Sequence, residues 1–205
     1  MLQDKKVNLP ESCLFVKNKI LSDLDLGSLL LYSDQYTKNH IQSIHKYYEI
    51  KKLMNNNDVL RRIRYIFDYN DAKMISIFAL AENKATRTQI SDWLKKETDN
   101  AFKECSDTRL AFFLNGLIID KRGKTPWPQP EIEKHLTNNK IFTKLKIALN
   151  LKAEDVLNIL SLAGFKISKH ELSAFFRRPN HRQYRECKDQ ILRNFLKGLQ
   201  IKHRP

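Results

Sequence analysis

The sequence predicts an all-α protein built from two tandem four-helix repeats that pack as a pseudo-twofold pair. Residues 102–117 recur at residues 184–199 with eight of 16 positions identical, an offset of 82 residues. Self-similarity at a fixed spacing indicates a duplicated structural unit. The chain has only five Gly and six Pro, and its apolar residues fall at helical spacing within each copy. A peripheral N-terminal extension, helical or partly disordered, precedes the repeats in this prediction.

The chain divides into four predicted segments. We expect an N-terminal extension over residues 1–53, a first repeat over 54–120, a Pro-containing connector over 121–137 and a second repeat over 138–205. The extension has no copy elsewhere, and short helices are predicted in it at residues 12–24 and after Asp34. The prolines of the connector lack backbone donors and resist helix formation. Trp127, between two of them, is predicted to anchor the connector or, alternatively, to stack on a ligand.

Each repeat is predicted to contain four helices. The second helix of each copy is dense in Ile, Leu, Met and Phe, which predicts a central position for it. The third opens with a capping box in both copies, Thr86-x-x-Gln89 and Ser168-x-x-Glu171, whose side chains satisfy backbone groups at the helix start. The predicted helices cover about residues 58–68, 72–82, 86 onward and 107 onward in the first repeat, and 140–149, 154–163, 168 onward and 189 onward in the second.

The fourth helix of each repeat has one apolar stripe and a glycine in its middle. Asp107 and Asp189 suit the N-cap position of these helices. Gly116 and Gly198 each cost about 1 kcal/mol relative to Ala in a helix. Because both copies contain this glycine, we expect another helix to pass close to it and the two fourth helices to lie near the interface between the repeats.

The charge of the chain favours an anionic partner. The net charge is +14, of which residues 1–53 contribute +2 and residues 54–205 contribute +12. Nucleic acid, an anionic membrane surface and an acidic protein are the partners that such an excess suits. No apolar run approaches the ~20 residues that a membrane helix needs. Three cysteines without a CxxC pair argue against a disulfide framework. We therefore expect a cytoplasmic protein without membrane association, and the oligomeric state is left open.

The Glu-Cys-x-Asp element, at Glu104–Asp107 and again at Glu186–Asp189, admits three interpretations. It is a helix start with a small buried cysteine, a cysteine nucleophile whose pKa the helix N-terminus lowers, or a metal site where the two copies converge. No histidine accompanies both cysteines across the offset, and the chain has no HExxH, P-loop or GxGxxG motif. We predict no catalytic residue, no metal and no cofactor, and a protein that is not an enzyme.

Basic residues recur at matching positions of the two copies. The stretch from Arg177 to Arg185 reads R-R-P-N-H-R-Q-Y-R and mixes cations with an aromatic ring, a composition that suits phosphates and stacked bases. Basic residues at a helix end also compensate its negative pole, so a merely solvated face is the competing interpretation. The predicted nucleic-acid-binding residues are Arg62, Arg64, Lys95, Lys96, Lys144, Lys146, Arg177, Arg178, Arg182, Tyr184 and Arg185.

The order of motifs in the two repeats is similar to that of a bacterial family, the YehS-like proteins. The blocks that carry the resemblance include N-D-V-L-R-R-I-R-Y-I-F from Asn57, C-x-D…F-L-N-G-L from Cys105 and Y-R-E-C-x-D-Q-x-L-R-x-F-L-x-G-L from Tyr184. The resemblance covers Asn55 to about Leu199 and implies a small cytosolic bacterial protein with a duplicated domain of unknown function. Members of that family begin near the position of Met54, so residues 1–53 depart from its pattern. The resemblance implies no activity and transfers no functional residue.

Three functions are compatible with these observations. The preferred one is a non-enzymatic binding module with a basic face for nucleic acid, RNA before DNA because no helix has the pattern of a major-groove reader. The alternative is a protein-interaction adaptor or regulator that uses an apolar groove between the copies. An enzyme ranks third and would need a deep pocket lined by both Glu-Cys-x-Asp elements.

Overall fold

The structure, a computed structural model, describes residues 54–124 and 131–204. These residues form eight α-helices and no strand, which confirms the predicted all-α fold with two tandem four-helix repeats. None of the eight combines the length and the apolar character that a membrane-spanning helix requires. The helices are α1 Asn56–Ile66, α2 Asp71–Leu80, α3 Arg87–Leu94 and α4 Asp107–Arg122 in the first repeat, and α5 Asn138–Ala148, α6 Ala153–Leu162, α7 Lys169–Phe175 and α8 Asp189–His203 in the second.

The four helix starts of one repeat lie 82 residues from those of the other. The helices predicted within residues 1–53 and the two roles considered for Trp127 lie outside the described residues. The division of the chain at residues 53, 120 and 137 stays a prediction.

The helix starts agree with the predicted capping chemistry at the third helices and differ from it at the fourth. Both capping boxes form, Thr86 with Gln89 and Ser168 with Glu171. The N-cap residues of α4 and α8 are Ser106 and Lys188, so the assignment of Asp107 and Asp189 to that position was wrong by one residue. Their carboxylates do not cap their own helices, because they accept hydrogen bonds from other segments.

The two mid-helix glycines mark the closest helix contacts in each repeat. A Cβ atom added to Gly116 would lie 1.8 Å from the carbonyl oxygen of Ile77 in α2, and one added to Gly198 would lie 1.9 Å from that of Ile159 in α6. The expected close helix is therefore present, and it is the second helix of the same repeat. Only glycine allows the backbones of α2 and α4, and of α6 and α8, to come this near.

The fourth helices also form the interface between the repeats, as predicted. Helix α4 packs against α5, and α8 packs against α1. The Asp107 carboxylate accepts from the backbone N–H of Leu136 (2.9 Å), and the Asp189 carboxylate accepts from that of Met54 (2.7 Å). Leu136 and Met54 are equivalent residues, 82 apart, at the entrance to α5 and α1. Each repeat thus holds the beginning of the other.

A second exchange joins the far ends of the fourth helices to the other repeat. The Arg122 guanidinium donates to the side-chain oxygen of Asn150, and Arg204 forms an ion pair with Asp68. Asp68 and Asn150 are again equivalent, and both have positive φ, 55° and 52°. Asp and Asn tolerate this left-handed conformation better than most residues. Two independent pairs of reciprocal contacts therefore establish the pseudo-twofold relation between the repeats.

Candidate nucleic-acid interface

The loop between the third and fourth helices is tied down in the same way in both repeats. We call residues 95–104 the first loop and residues 177–186 the second loop. In the first repeat, the side-chain amide of buried Asn57 donates to the carbonyls of Trp93 and Lys103 (2.8 Å each), and its oxygen accepts from Cys105 N–H (3.0 Å). One side chain from α1 thereby fixes both ends of the first loop.

Asn139 does the same for the second loop. Its amide donates to the carbonyls of Phe175 (2.8 Å) and Arg185 (2.9 Å), and its oxygen accepts from Cys187 N–H (2.9 Å). Asn57 and Asn139 are equivalent across the 82-residue offset, and the sequence analysis assigned them no role. An asparagine at the same place in two copies of an apolar helix face is the signal that could have found them, because a buried amide needs hydrogen-bond partners.

Hydrogen bonds within the loops are also equivalent. The N–H of Asp99 donates to Lys96 O, as that of His181 donates to Arg178 O, both at 2.9 Å. At the end of each loop, the N–H of Lys103 donates to Asp92 O, as that of Arg185 donates to Ala174 O, both at 3.2 Å. The two loops therefore share one backbone framework and differ in the side chains that they present.

The two loops differ in charge. The first loop contains three lysines and three acidic residues, for a net charge of zero. The second contains four arginines and one glutamate, for a net charge of +3 with histidine neutral. Duplication has thus produced one neutral and one cationic loop on the same framework, a difference that matching the sign of paired positions does not reveal.

The predicted residues of the second loop lie together at its surface. Arg178, Arg182 and Arg185 are exposed. Arg178 and Arg182 form no ion pair within the described residues, and Arg185 lies near Glu171, whose pKa is lowered chiefly by hydrogen bonds from Ser168 and also by this arginine. Tyr184 and Arg177 are half-buried, and the Arg177 guanidinium donates to the Gln183 side chain. At the base of the loop, the Lys146 ammonium lies 5.5 Å from the centre of the Phe176 ring.

The predicted residues of the first repeat are distributed differently. Lys96 is exposed in the first loop, and Lys95 pairs with Asp92 (3.2 Å). Arg62 is half-buried on α1, and Arg64 pairs with Asp71 (2.9 Å). Half-buried and paired cations are less available to a phosphate than the arginines of the second loop.

Lys144 does not belong to an exposed cationic face, and its inclusion needs correction. It is buried between the repeats, where its ammonium lies 2.9 Å from the Glu133 carboxylate and donates to the side-chain oxygen of Asn115 in α4. A buried ammonium requires such partners because burial removes its water. The sequence analysis matched Lys144 with Arg62 by the sign of the charge alone. It could not show that Lys144 pairs with Glu133, which lies in the segment before α5.

A groove missed by sequence analysis runs along the C-terminal end of α1. It has a volume of about 630 Å³ and includes Arg61, Arg64, Tyr65 and Arg204. The Arg204 guanidinium lies 4.5 Å from the centre of the half-exposed Tyr65 ring. All three arginines are paired with aspartates: Arg61 with Asp58, Arg64 with Asp71 and Arg204 with Asp68. The groove therefore has no excess positive charge, unlike the second loop.

Both cysteines of the Glu-Cys-x-Asp elements are buried structural residues. Cys105 and Cys187 have no exposed surface, and burial raises the pKa of each thiol to about 12. This is the opposite of the lowering that a nucleophile at a helix start requires. Within the described residues, no group of three or more His, Cys, Asp or Glu side chains is placed to hold a metal ion. The structure thus favours the helix-start interpretation of this element.

We expect Cys105 and Cys187 to be unreactive in the native protein. With a pKa of about 12, only about one thiol in 10,000 is ionised at pH 8, and thiolate is the reacting species. A Cys13→Ser variant treated with a disulfide reagent at this pH should release colour from two thiols in denaturant and from none in the folded state. A folded-state thiol that reacts as fast as free cysteine would contradict this assignment.

The chain is a duplicated all-α protein. It belongs to the family described as "Protein of unknown function (DUF1456)", whose model matches residues 56–123 and 138–204. The two matches coincide with the two repeats. The chain is also similar to the uncharacterized protein YehS of Escherichia coli (strain K12), with 46% identity over 147 residues, 71% of this chain and 94% of that protein. These findings confirm the YehS-like resemblance. No solved structure matches the chain.

Proposed function

We propose that this protein is a nucleic-acid-binding module, not an enzyme, and that the second loop is its principal contact with RNA. The observation that carries the proposal is the group of three exposed arginines, Arg178, Arg182 and Arg185, on a loop with net charge +3. Guanidinium groups bind phosphate oxygens through two parallel hydrogen bonds, which suits them to a nucleic-acid backbone. Tyr184, half-buried in the same loop, supplies an aromatic face against which an unpaired base can stack.

The framework of the second loop supports this function energetically. Asn139 and the hydrogen bonds within the loop hold its backbone before any ligand arrives. A preorganised loop loses less conformational entropy on binding than a flexible one. RNA comes before DNA in this proposal because the cations lie on a loop and no described helix presents them to a major groove.

The alternatives have less support. An enzyme at the Glu-Cys-x-Asp elements would need a pocket lined by residues 104–107 and 186–189. Neither the groove at Tyr65 nor a second cleft, lined by Leu80 and Asn115, has this lining. A protein-interaction adaptor stays a prediction, and recovery of one stoichiometric protein partner after nuclease treatment would favour it.

Reversing the charge of the second loop is expected to weaken RNA binding at least about tenfold, since several phosphate contacts would be lost together. The test compares wild type with an Arg178→Glu, Arg182→Glu, Arg185→Glu variant, by fluorescence anisotropy of a short labelled single-stranded RNA at about 50 mM and about 200 mM salt. The variant should also show a shallower salt dependence, because fewer counterions are released on binding.

The first loop provides a matched control. Lys96 and Lys103 are equivalent to Arg178 and Arg185 and are also exposed, so Lys96→Glu with Lys103→Glu changes the charge on the same framework. This control should change the affinity by less than about threefold, since exposed residues away from a contact contribute little. Absence of RNA binding by the wild type at low salt, or equal affinities of wild type and triple variant, would refute the proposed function.

A further inference from the structure

A cleft of about 310 Å³ lies between the first repeat and the segment that precedes α5. It is formed by the end of α2, one face of α4 and the segment that precedes α5, and its lining includes Leu80, Glu82, Phe112, Asn115, Glu131 and Ile132. Its volume is at the lower end of the range for small-molecule sites, about 300–1,000 Å³.

Asn115 provides a hydrogen-bond donor in this cleft. The residue is 6% exposed, and its side-chain oxygen accepts from the Lys144 ammonium. An ammonium can only donate, so this contact fixes which end of the amide faces Lys144. The NH₂ group is the polar end that remains for the cleft, and it makes no hydrogen bond within the part of the chain that the structure describes. The NH₂ group is not among the buried unpaired atoms of the described residues, so it is open to the cleft and can donate to a ligand that brings an acceptor.

The other polar groups of the cleft are carboxylates, which only accept hydrogen bonds. Glu131 is exposed and forms no ion pair among residues 54–124 and 131–204. Glu82 is also exposed, and its one ion pair with another described residue is a long contact, 3.5 Å, with exposed Lys124. The half-buried Phe112 lines the same cleft and provides an apolar surface. The matching ligand is flat, with an acceptor beside two donors on one edge.

Guanine has this pattern. Its O6 accepts, and its adjacent N1–H and exocyclic NH₂ donate in parallel, as a carboxylate requires. Adenine presents one donor beside one acceptor, uracil presents one donor between two acceptors, and cytosine presents one donor beside two acceptors. Proteins that read unpaired bases combine hydrogen bonds to this edge with stacking on an aromatic side chain.

We propose that this cleft binds a guanine base, with O6 accepting from the Asn115 amide, the N1–H and NH₂ groups donating to Glu131 or Glu82, and the ring lying against Phe112. The base comes either from a free guanine nucleotide or from an unpaired guanine of RNA. The second source extends the proposed function and depends on it, whereas binding of the free nucleotide does not.

The second repeat does not repeat this site. Across the 82-residue offset, Asn115 corresponds to Lys197 and Glu82 corresponds to Gly164, so the equivalent side chains have neither the amide donor nor the carboxylate. We expect a stoichiometry of one guanine per chain.

Calorimetric titration of the nuclease-treated full chain with guanosine monophosphate tests this site. Inosine monophosphate, which lacks the exocyclic NH₂, should bind at least about fivefold more weakly, as should the adenosine, cytidine and uridine monophosphates, since each omits a hydrogen bond that the site makes. Glu131→Gln with Glu82→Gln should reduce the affinity at least about tenfold, because an amide presents a donor where the base also donates. Asn115→Asp retains an oxygen for Lys144, removes the donor and should have a similar effect.

Glu104→Gln is the matched control, because Glu104 is exposed and does not line the cleft, and it should bind like wild type. Equal affinity for all five nucleotides, unchanged affinity of the Glu82/Glu131 variant, or no binding of guanosine monophosphate at millimolar concentration would overturn the proposal. The failure modes are separable: loss of RNA binding in the triple arginine variant with no guanosine binding refutes the cleft alone. Guanosine binding without RNA binding by wild type refutes the RNA surface alone.

Discussion

Replacing Gly116 or Gly198 with alanine is expected to destabilise the protein by about 3 kcal/mol or more, as severe overpacking of a core does. The added Cβ would lie 1.8 Å from the Ile77 carbonyl oxygen or 1.9 Å from that of Ile159. The obstacle is backbone, so no rotamer change relieves it. Helices α2 and α4, or α6 and α8, would have to separate, which would open the core around Phe78 or Phe195.

The direction of the change in stability distinguishes a glycine at a close helix contact from a glycine that faces solvent. In an ordinary helix, alanine is more favourable than glycine by about 1 kcal/mol, so a solvent-facing glycine would give a stabilised variant. Urea unfolding followed by circular dichroism measures the change in the free energy of unfolding. Lys197→Ala, at an exposed position beside Gly198, is the control and should stay within about 0.5 kcal/mol of wild type. Wild-type stability in both glycine variants would show that the helices do not approach each other this closely.

Replacing Asn57 or Asn139 with alanine is expected to cost about 3 kcal/mol, because three hydrogen bonds are lost and their backbone partners lie in or next to the core. The partners left behind are two carbonyls and the N–H of the following cysteine. Asn158→Ala, on the exposed face of α6, is the control and should change the free energy of unfolding little. A cost below about 1 kcal/mol for both variants would mean that the loops hold their conformation without these side chains.

The two asparagine variants should differ in one respect. Asn139 holds the second loop, so its loss should also weaken RNA binding, whereas Asn57 holds the neutral first loop and its loss should leave the affinity of the folded protein unchanged. Anisotropy measurements at a temperature where both variants are folded separate this effect from stability. Equal losses of affinity in the two variants would contradict a specific role for the second loop.

Local patterns allowed most of the fold to be predicted. A capping box such as Thr86–Gln89 involves four consecutive residues, and an apolar stripe follows from helical periodicity, so both can be recognised without tertiary information. Because the repeats are 82 residues apart, a local pattern found in one copy could be checked at the equivalent position of the other. The N-cap assignment of Asp107 and Asp189 was wrong because their carboxylates bind the other repeat, a contact that no local pattern reveals.

The candidate site was less accessible to sequence reasoning for the same reason. Lys144 keeps the sign of its counterpart Arg62, but its burial depends on Glu133 and Asn115, whose counterparts are Lys51 and Lys197. Asn139 is 36 and 46 residues from the carbonyls that it binds. Charge matching between copies assumes that equivalent positions have equivalent environments, which is not true of buried Lys144 and half-buried Arg62.

The reciprocal contacts of Asp107 with Leu136 and of Asp189 with Met54 mean that each copy of the unit satisfies a carboxylate of the other part of the chain. A polypeptide with only one copy of the unit would leave its aspartate without the backbone N–H that the other copy provides. Two such polypeptides could restore both contacts by associating about a true symmetry axis. One chain with two copies therefore has the contacts of a symmetric dimer, while its two halves carry different surfaces, such as the neutral first loop and the cationic second loop.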